Sequence, residues 1–244
     1  MRPFFARDIR GLSRYAFSPM IPVVTFDAAG TLIRLVRPPG LTYSEEARAF
    51  GYELDPHRLQ AAFRVAWKSL APPEESAGPR PDDDRGWWKE LVCRTIQEAG
   101  FEIGPFDAYF DRVYAAFAGP GIWQLYPEIP ALLSELNGRG VRLGVISNFD
   151  RRLYAVLNDL GILPAFENVV ISSEIGASKP STRIFLEAAR RFDVEPGGIL
   201  HIGDDVDLDE RGALAAGCKA LMVDHQNNQT KAILNLLGLP NGER

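Results

Sequence analysis

The chain has 244 residues, 46% of them hydrophobic and 24% charged, and its formal net charge is −5. This length can bury a substantial core, or a core with a smaller second domain. The acidic balance argues against a nucleic-acid-binding protein, which more often carries clustered Lys and Arg, and no apolar run approaches the ~20 residues that span a bilayer.

The first regular element is predicted near residue 22. Residues 1–20 form a basic, aromatic N-terminal extension, which we expect to be a poorly ordered leader. Pro22 then opens an apolar run rich in β-branched residues, the pattern of a buried strand, which ends at Asp27. An acid followed by two alanines and Gly30 does not continue such a strand. Asp27 is therefore predicted on a tight turn at the carboxyl end of the strand, where open α/β sheets bind ligands.

The stretch that follows predicts helices. Residues 32–40 are interrupted by Pro and Gly and indicate a linker. Thr42 is placed to cap a helix that extends to about Phe50. Residues 71–84 are rich in Pro, Glu, Ser and Asp, which predicts an exposed and mobile loop. Further helices are predicted from Asp55-Pro56, from about Arg85 to Ala99 and from about Phe106 to Phe117. The first of these has apolar residues at helical spacing, which predicts a buried face of Leu59, Phe63, Ala66, Trp67 and Leu70.

The second half of the chain alternates between strand and helix patterns. Strands are predicted at residues 141–147, 168–171, 199–202 and 219–223, and helices at about 129–137, 151–160, 182–192, 208–216 and 229–237. This alternation is typical of an α/β fold with a doubly wound, parallel, Rossmann-like sheet. We therefore predict an α/β core domain over residues 21–36 and 121–244, with residues 37–120 inserted as an all-helical cap domain.

Polar side chains follow four of the predicted strands. In chain order they are Asp27 and Thr31, then Ser147 and Asn148, then Ser178-Lys179-Pro180, then Asp204 and Asp205 with Asp207 and Asp209 beyond. The carboxyl ends of parallel strands lie at one edge of a sheet, so we expect these side chains to meet in one crevice. Carboxylates that meet repel one another unless a cation is present, and Mg²⁺ prefers oxygen ligands of this kind. The sequence therefore predicts a Mg²⁺ site, with Lys179, Ser147 and the backbone amides after Asp27 available to hold a phosphate group.

At these residues the chain resembles the haloacid dehalogenase-like (HAD) hydrolase superfamily. The resemblance covers about residues 21–225 and follows the order of the four family motifs. These are Asp27-x-x-Gly30-Thr31-Leu32, then Ile146-Ser147-Asn148, then Lys179-Pro180, then Gly203-Asp204 followed by Asp209 and Gly212-Ala213. The helical insertion after the first motif resembles the cap of subfamily I. Residues 146–153, together with Trp87-Trp88, are similar to the subgroup called haloacid dehalogenase-like hydrolase domain-containing protein three.

The resemblance implies a phosphoric monoester hydrolase that acts on a small phosphorylated substrate. Asp27 would attack the substrate phosphorus and form an aspartyl-phosphate, which splits one difficult step into two. Ser147, followed by Asn148 in the second motif, would bind a phosphoryl oxygen. Lys179 would orient Asp27 and balance its charge, and Thr31 would order the loop of the first motif.

The resemblance also implies Mg²⁺ as the cofactor. Its ligands would be Asp27, the backbone carbonyl of Ala29 and Asp204. Asp209, and Asp205 as a further candidate, would act through water or from behind these ligands.

Ala29 is the one departure from the family pattern. Phosphatases of this superfamily usually have an aspartate at that position, two residues after the nucleophile, as general acid and base. Alanine can do neither, and the loss of such proton transfer costs about 10²–10⁴ in rate. A phosphatase therefore requires a leaving group that needs little protonation, or an acid from elsewhere, such as Asp205 or a cap residue.

Three alternatives to a phosphatase stay open at this point. A 2-haloacid dehalogenase also lacks the acid, but it needs no metal, and it uses an arginine for the halide, for which Arg34 and Arg37 are loose candidates. A phosphonatase-like hydrolase needs a cap lysine for a Schiff base, and the cap contains Lys68 and Lys89. A weakly active or non-catalytic binding protein would keep the fold, and Trp87-Trp88 or the loop over residues 71–84 could then serve a partner.

The setting of the protein is also predicted. Cys93 and Cys218 match no metal or redox spacing, so we expect no disulfide framework and a cytoplasmic location. We expect a monomer, with no nucleic-acid and no membrane partner.

Overall fold

The computed structural model describes residues 23–223, 225 and 230–237. The predicted N-terminal extension, Pro22 and the start of the last predicted helix lie outside these residues. In chain order the elements are β1 (Val23–Phe26), β2 (Ile33–Leu35), α1 (Pro39–Arg48), α2 (Pro56–Ser69), α3 (Arg85–Glu98), α4 (Phe106–Ala116), β3 (Trp123–Leu125), α5 (Ile129–Gly138), β4 (Arg142–Ser147), α6 (Arg152–Asp159), β5 (Asn168–Ile171), α7 (Ser172–Ile175), α8 (Thr182–Phe192), β6 (Ile199–Gly203), α9 (Arg211–Ala215), β7 (Lys219–Met222) and α10 (Thr230–Leu236).

The predicted α/β fold is confirmed. Five parallel strands form one sheet in the order β5-β4-β1-β6-β7. The first strand is therefore central, and the chain runs from it to one edge of the sheet before it crosses back to the other. The strand order reverses beside β1, which is where a doubly wound sheet opens its crevice.

Alternation along the strands explains why helices cover both faces of this sheet. Val24 and Phe26 of β1 pack into a core that also contains apolar residues of α5 and α6, whereas Val23 packs with residues of α8 and α9. Successive side chains of a strand point to opposite faces, so an uninterrupted apolar strand must be buried on both. The predicted helix at residues 208–216 is corrected in one respect, because it begins as a π-helical turn at Val206–Glu210 before α9.

The helices α1 to α4 share a hydrophobic core of their own, which is built mainly from Tyr43, Leu59, Ile96, Tyr109 and Phe110. The bounds of the predicted domains stay a prediction. Two expectations for this region are wrong in detail. Helix α1 begins at Pro39, so Thr42 is a buried helical residue and no N-cap. In α2 the side chain of Trp67 is 48% exposed, whereas Asp55 caps the helix as its position predicts.

A short antiparallel pair of strands, which the sequence analysis did not predict, lies where the chain passes between the sheet and these helices. Within the predicted linker, β2 pairs with β3, and the N–H of Val36 donates to the carbonyl of Ile122 (2.9 Å). Three-residue strands carry too little alternation to be recognised in a sequence. The pairing ties the outgoing and returning segments together.

The loop between α2 and α3 (residues 71–84, the cap loop) also differs from its prediction as an exposed, mobile segment. Its Arg80 and Asp84 are buried. The N–H groups of Ser76 and Arg80 donate to the carbonyls of Gly176 and Ser173 (both 2.8 Å). The cap loop is therefore docked on the segment of the core that leads to Lys179.

No helix of the described residues combines the length and the apolar character needed to cross a bilayer.

Candidate active site

A buried lysine joins two of the predicted acids at the carboxyl edge of the sheet. Lys179 Nζ donates to Asp27 Oδ1 (2.5 Å) and to Asp209 Oδ1 (2.6 Å), and all three side chains are buried. Ser147 Oγ also donates to Asp27 Oδ1 (3.3 Å), and Thr31 Oγ1 donates to Asp204 Oδ1 (3.3 Å). Residues from four separate strand ends therefore meet, as the order of the sheet requires.

Two glycines allow this close approach. Gly30 has a φ of +111°, and a Cβ at this position would lie 2.4 Å from Asp204 Oδ2. A Cβ at Gly203 would lie 2.2 Å from Asp209 Cγ. Real Cβ atoms do not come this close to other heavy atoms, so these turns require glycine for the acids to converge.

Asn148 fixes the backbone of the lysine. Its Oδ1 accepts from the N–H of Lys179 (2.6 Å) and its Nδ2 donates to the carbonyl of the same residue (3.0 Å). Both polar groups of the Asn148 amide therefore bond to the backbone of Lys179, which lies 31 positions away in the chain. The side chain of Asn148 positions Lys179 and leaves Ser147, its neighbour, to face Asp27.

Asp209 is held from behind the site. His201 Nε2 lies 3.1 Å from Asp209 Oδ1, and the N–H of Asp205 donates to Asp209 Oδ2 (3.1 Å). His201 is itself fully buried, with Nδ1 3.0 Å from Thr25 Oγ1, and burial lowers its pKa despite the hydrogen bond to Asp209. A neutral imidazole therefore supports Asp209 without adding charge, and its role was not predicted from the sequence.

The cluster carries more negative than positive charge. Burial raises the pKa of Asp27, in spite of Lys179, and burial with the charge of Asp209 raises the pKa of Asp204. Burial alone would lower the pKa of Lys179, but Asp27 and Asp209 outweigh it and raise that pKa. Three carboxylates and one ammonium leave an excess of negative charge that a bound cation would relieve.

The donor set fits a hard divalent cation. Asp27, Asp204 and Asp209 each bring a carboxylate oxygen within 4.8 Å of the other two. Asp204 is the exposed member, whereas Asp209 already accepts from Lys179 and from the amide of Asp205. Asp27 and Asp204 are thus better placed to bind a metal directly, with Asp209 behind them. The Asp205 carboxylate caps the next turn by accepting from the N–H groups of Asp207 and Leu208 (both 2.9 Å).

A cavity of about 500 Å³ opens over the cluster and extends among the cap helices. Asp27, Ala29, Ser147 and Lys179 line it at the sheet edge, and its size is within the usual range of ligand pockets. The described residues that line the rest include nine aromatic ones: Tyr43, Phe63, Trp67, Trp88, Phe110, Tyr114, Phe117, Trp123 and Phe149. Of the pair Trp87-Trp88, Trp88 is the residue that lines the cavity.

The residues considered for other chemistries are placed differently. Arg34 lines the cavity, but Arg37 is paired with Glu45 (2.6 Å). Lys179 is the one lysine among the described residues that line the cavity. Neither Lys68 nor Lys89 lines it, and Lys89 pairs with Asp107 (2.7 Å). The cap therefore places no described lysine where a Schiff base would need one.

Two further contacts at the site were not predicted. Arg152 donates to both carboxylate oxygens of the fully buried Asp150 and to the carbonyl of Tyr114 (3.0 Å), which joins the core to α4. His225 stacks on Tyr126, with ring centroids 3.4 Å apart, and its Nε2 lies 2.7 Å from the carbonyl of Gly30. Arg152 and Tyr114 are 38 positions apart, and His225 and Gly30 are 195 apart, so no local pattern could indicate these two contacts.

Comparison with known families gives one match over most of the chain. The description of the matching family is "Hydrolase: haloacid dehalogenase-like hydrolase", and it covers residues 21–217. A relative from Mus musculus, haloacid dehalogenase-like hydrolase domain-containing protein 3, is 36% identical over 203 residues, which are 82% of this chain and 81% of that protein.

Two other similarities are weaker, one because it covers less of the chain and the other because the sequence identity is lower. A glyceraldehyde 3-phosphate phosphatase from Methanopyrus kandleri is 43% identical over 93 residues, 38% of this chain and 40% of that protein. Among solved structures, the putative HAD-hydrolase YfnB from Bacillus subtilis superposes with a TM-score of 0.67 over 90% of this chain and 99% of its own, at 17% identity. At that identity the superposition bears on the fold alone.

Proposed function

This chain belongs to the haloacid dehalogenase-like hydrolases, and we propose that it is a Mg²⁺-dependent phosphatase that acts on a small phosphate ester through an aspartyl-phosphate at Asp27. The observation that carries the proposal is the bridge from Lys179 Nζ to Asp27 and Asp209 at the bottom of a cavity. The phosphatase name of the Methanopyrus kandleri relative supports the same reaction class.

The chain's own residues divide the work as follows. The Asp27 carboxylate forms a bond to phosphorus as the ester bond breaks, and water then releases phosphate from the aspartyl-phosphate. Lys179 holds Asp27 in one orientation through the 2.5 Å contact and offsets its charge. Ser147, 3.3 Å from Asp27, is placed to donate to a phosphoryl oxygen, and Thr31 holds Asp204 through the first turn.

The metal would be held by Asp27, the Ala29 carbonyl and Asp204, with Asp209 behind them. When bound, Mg²⁺ would neutralise carboxylate and phosphoryl charge. The excess of negative charge in the buried cluster supports this assignment. A monomer in the cytoplasm remains our expectation for the working protein.

The test is hydrolysis of p-nitrophenyl phosphate, an activated ester, with Mg²⁺ and with EDTA. We expect turnover that needs Mg²⁺ and is lost in Asp27→Asn, because amide nitrogen and oxygen cannot replace the attacking carboxylate. Equal rates for wild type and Asp27→Asn would contradict the proposal.

A weakly active or non-catalytic binding protein is the second candidate, because Ala29 cannot transfer a proton and still leaves the metal and phosphate site intact. Binding of inorganic phosphate with Mg²⁺, without hydrolysis of any ester, would favour it. Turnover of 2-chloropropionate in EDTA would instead favour the dehalogenase, for which Arg34, as a residue of the cavity wall, is the candidate to bind the halide.

A further inference from the structure

The wall of the cavity is unusual for a site that would bind a sugar phosphate or another polar metabolite. Nine aromatic side chains of the described residues line it, from α1, α2, α3, α4, the end of α4, β3 and the segment after β4. Seven of these rings form one connected set, and Phe110 and Tyr114 form a separate pair. Phe63 stacks on Trp67 with centroids 5.8 Å apart, Trp67 lies 6.1 Å from Trp88, and Trp88 lies 6.2 Å from Phe149.

The aromatic wall and the acids of the sheet edge line one and the same cavity. Phe149 lies two residues after Ser147, which donates to Asp27, and both residues line the same cavity. Trp123 packs on Phe149 from the side of β3, with centroids 6.0 Å apart. A phosphoryl group on Asp27 would thus have its leaving group directed among rings.

The cations of the cavity offer little to a polar leaving group. Arg152 is already bonded to Asp150 and lies over the ring of Tyr114, 3.6 Å from its centroid. Lys179 is bonded to Asp27 and Asp209. Arg34 is exposed and lies over the ring of Tyr126. Hydroxyl groups moved from water to this wall would find few partners, because the phenylalanine rings offer none and the N–H of Trp123 already donates to the carbonyl of Phe117 (2.9 Å).

The missing general acid points to the same kind of leaving group. Ala29 supplies no proton, and the carboxylate of Asp205, the other acid considered, is engaged by the N–H groups of Asp207 and Leu208, so the leaving oxygen departs as an anion in this proposal. A phenol has a pKa of about 10, as the tyrosine side chain does, whereas an aliphatic hydroxyl resembles water, with a pKa of roughly 16. A phenolate is therefore the better leaving group by several orders of magnitude.

We propose that the substrates are aryl phosphates, in which phosphate is esterified to a phenolic oxygen and the aromatic ring is bound by the rings of the cap cavity. This inference rests on the proposed phosphatase function and specifies its substrate class. Asp27 Oδ forms a bond to phosphorus while the bond from phosphorus to the phenolic oxygen breaks. The phenolate leaves with the electron pair and takes its proton from water. A second water then breaks the aspartyl-phosphate, which returns Asp27 as a carboxylate and releases phosphate.

The experiment compares phenyl phosphate with benzyl phosphate, using the full chain with Mg²⁺. The two probes carry the same ring and differ by one methylene, but benzyl alcohol is an aliphatic leaving group. We expect kcat/KM to be at least about 100-fold higher for phenyl phosphate, since a missing acid costs on the order of 10²–10⁴. Acetyl phosphate, which needs no ring and no acid, serves as the probe for the proposed function itself.

Recognition of the ring is tested with 2-naphthyl phosphate and a matched pair of variants. Phe63 lines the cavity, whereas Phe101, also half-buried against the cap core, does not. We expect Phe63→Ala to lower the ratio of kcat/KM for 2-naphthyl phosphate to that for acetyl phosphate by about 5–10-fold, the scale of an aromatic pair, and Phe101→Ala to leave this ratio unchanged. Trp67→Ala is a second variant of the wall, at a half-exposed position that tolerates truncation.

The outcomes separate the two proposals. Asp27-dependent hydrolysis of acetyl phosphate, with equal rates on phenyl, benzyl and glycerol phosphates, would overturn the aryl specificity and leave the phosphatase standing. An unchanged ratio in both Phe63→Ala and Trp67→Ala would overturn recognition of the ring. Absence of Asp27-dependent hydrolysis of acetyl phosphate would overturn the phosphatase, and the aryl proposal with it.

Discussion

At the scale of single residues, Ala29 is the position on which the proposed chemistry depends most. Its side chain is exposed to the cavity beside Asp27, so a larger side chain has room there. The neighbouring Ser147 and Lys179 are both engaged with Asp27, and neither is free to protonate a leaving group. In the proposed mechanism the site would thus have a nucleophile and a balancing charge but no proton donor at position 29.

We predict that Ala29→Asp raises kcat/KM for benzyl phosphate by about 10²-fold or more, because a carboxyl group in this position restores general acid catalysis. The gain for phenyl phosphate should be smaller, since its leaving group needs the proton less. Ala29→Asn is the control, matched in size but without a carboxyl proton. An equal gain in both variants would show that proton transfer is not what the wild-type chain lacks.

We predict that Asn148→Ala lowers kcat by about 10–100-fold with little change in KM, because the backbone of Lys179 loses both of its contacts with the amide and a small displacement of a reacting group is costly. Asn137→Ala, which removes a single exposed contact to the carbonyl of Ala165, is the control. Steady-state kinetics on p-nitrophenyl phosphate give the answer. A kcat equal to that of the control would remove Asn148 from the site.

The residues that meet at the carboxyl edge of the sheet could be predicted from the sequence because each follows a strand of one parallel sheet. The residues that hold these site residues in place from distant parts of the chain could not be predicted in this way. His225 contacts Gly30 across 195 positions and Arg80 contacts Ser178 across 98. A histidine in a loop and an arginine between prolines carry no signal until the chain is folded.

At the scale of elements, the cap loop is the part whose structure departs most from its composition. The Arg80 guanidinium donates to Asp84, to the carbonyl of Ser172 (3.1 Å) and to Ser178 Oγ (3.2 Å). Burial raises the pKa of Asp84 to about 6, although Arg80 opposes the shift. The hydrogen bonds of Arg80 to Ser172 and Ser178 thus fix this polar loop to the core, while Asp84 balances the charge of Arg80 within the loop. A hydrophilic composition indicated only that it was a loop.

We predict that Arg80→Met lowers the free energy of unfolding by about 3–5 kcal/mol at about pH 8, because it leaves the Asp84 carboxylate buried without a partner. The loss should be smaller at about pH 5. A pKa already raised to about 6 with its partner present lets the unpaired carboxyl take up a proton there and lose its charge. Urea denaturation measures both values.

Arg94→Met is the matched control for this variant. Arg94 forms an exposed pair with Glu90 (2.6 Å), with side chains 43% and 50% exposed. Such pairs contribute about 0–1 kcal/mol. A loss in Arg80→Met no larger than in the control would mean that the buried pair of Arg80 and Asp84 does not stabilise the fold.

We predict that Gly176→Ala releases the cap loop from the core. A Cβ at this position would lie 2.1 Å from the carbonyl oxygen of Gly78, and the φ of +72° strains any other residue. Hydrogen exchange at the amides of Ser76 and Arg80 should become faster. Gly161→Ala is the control, with the same φ of +72° but no atom within 4 Å of its Cβ. Equal exchange in the two variants would contradict the role of close packing.

At the scale of the whole molecule, the alternation of strands and helices predicted the sheet, and the sheet predicted the meeting of Asp27, Lys179 and Asp204. The helical patterns after β1 likewise predicted a separate layer of helices. These patterns could not predict the cavity between the sheet and the helices α1 to α4. The aromatic cavity depends on how α1 to α4 pack over the sheet, and Trp67 was expected in the core but lines the cavity.

The central claim is that Asp27 becomes phosphorylated at a metal-dependent site, and acid-quenched peptide mass spectrometry tests it most directly. The full chain is mixed with acetyl phosphate and quenched during turnover. We predict a phosphate adduct on the peptide that contains Asp27 in the presence of Mg²⁺, and none with EDTA or in Asp27→Asn. Turnover without an adduct on that peptide, or an adduct that persists in Asp27→Asn, would contradict the account.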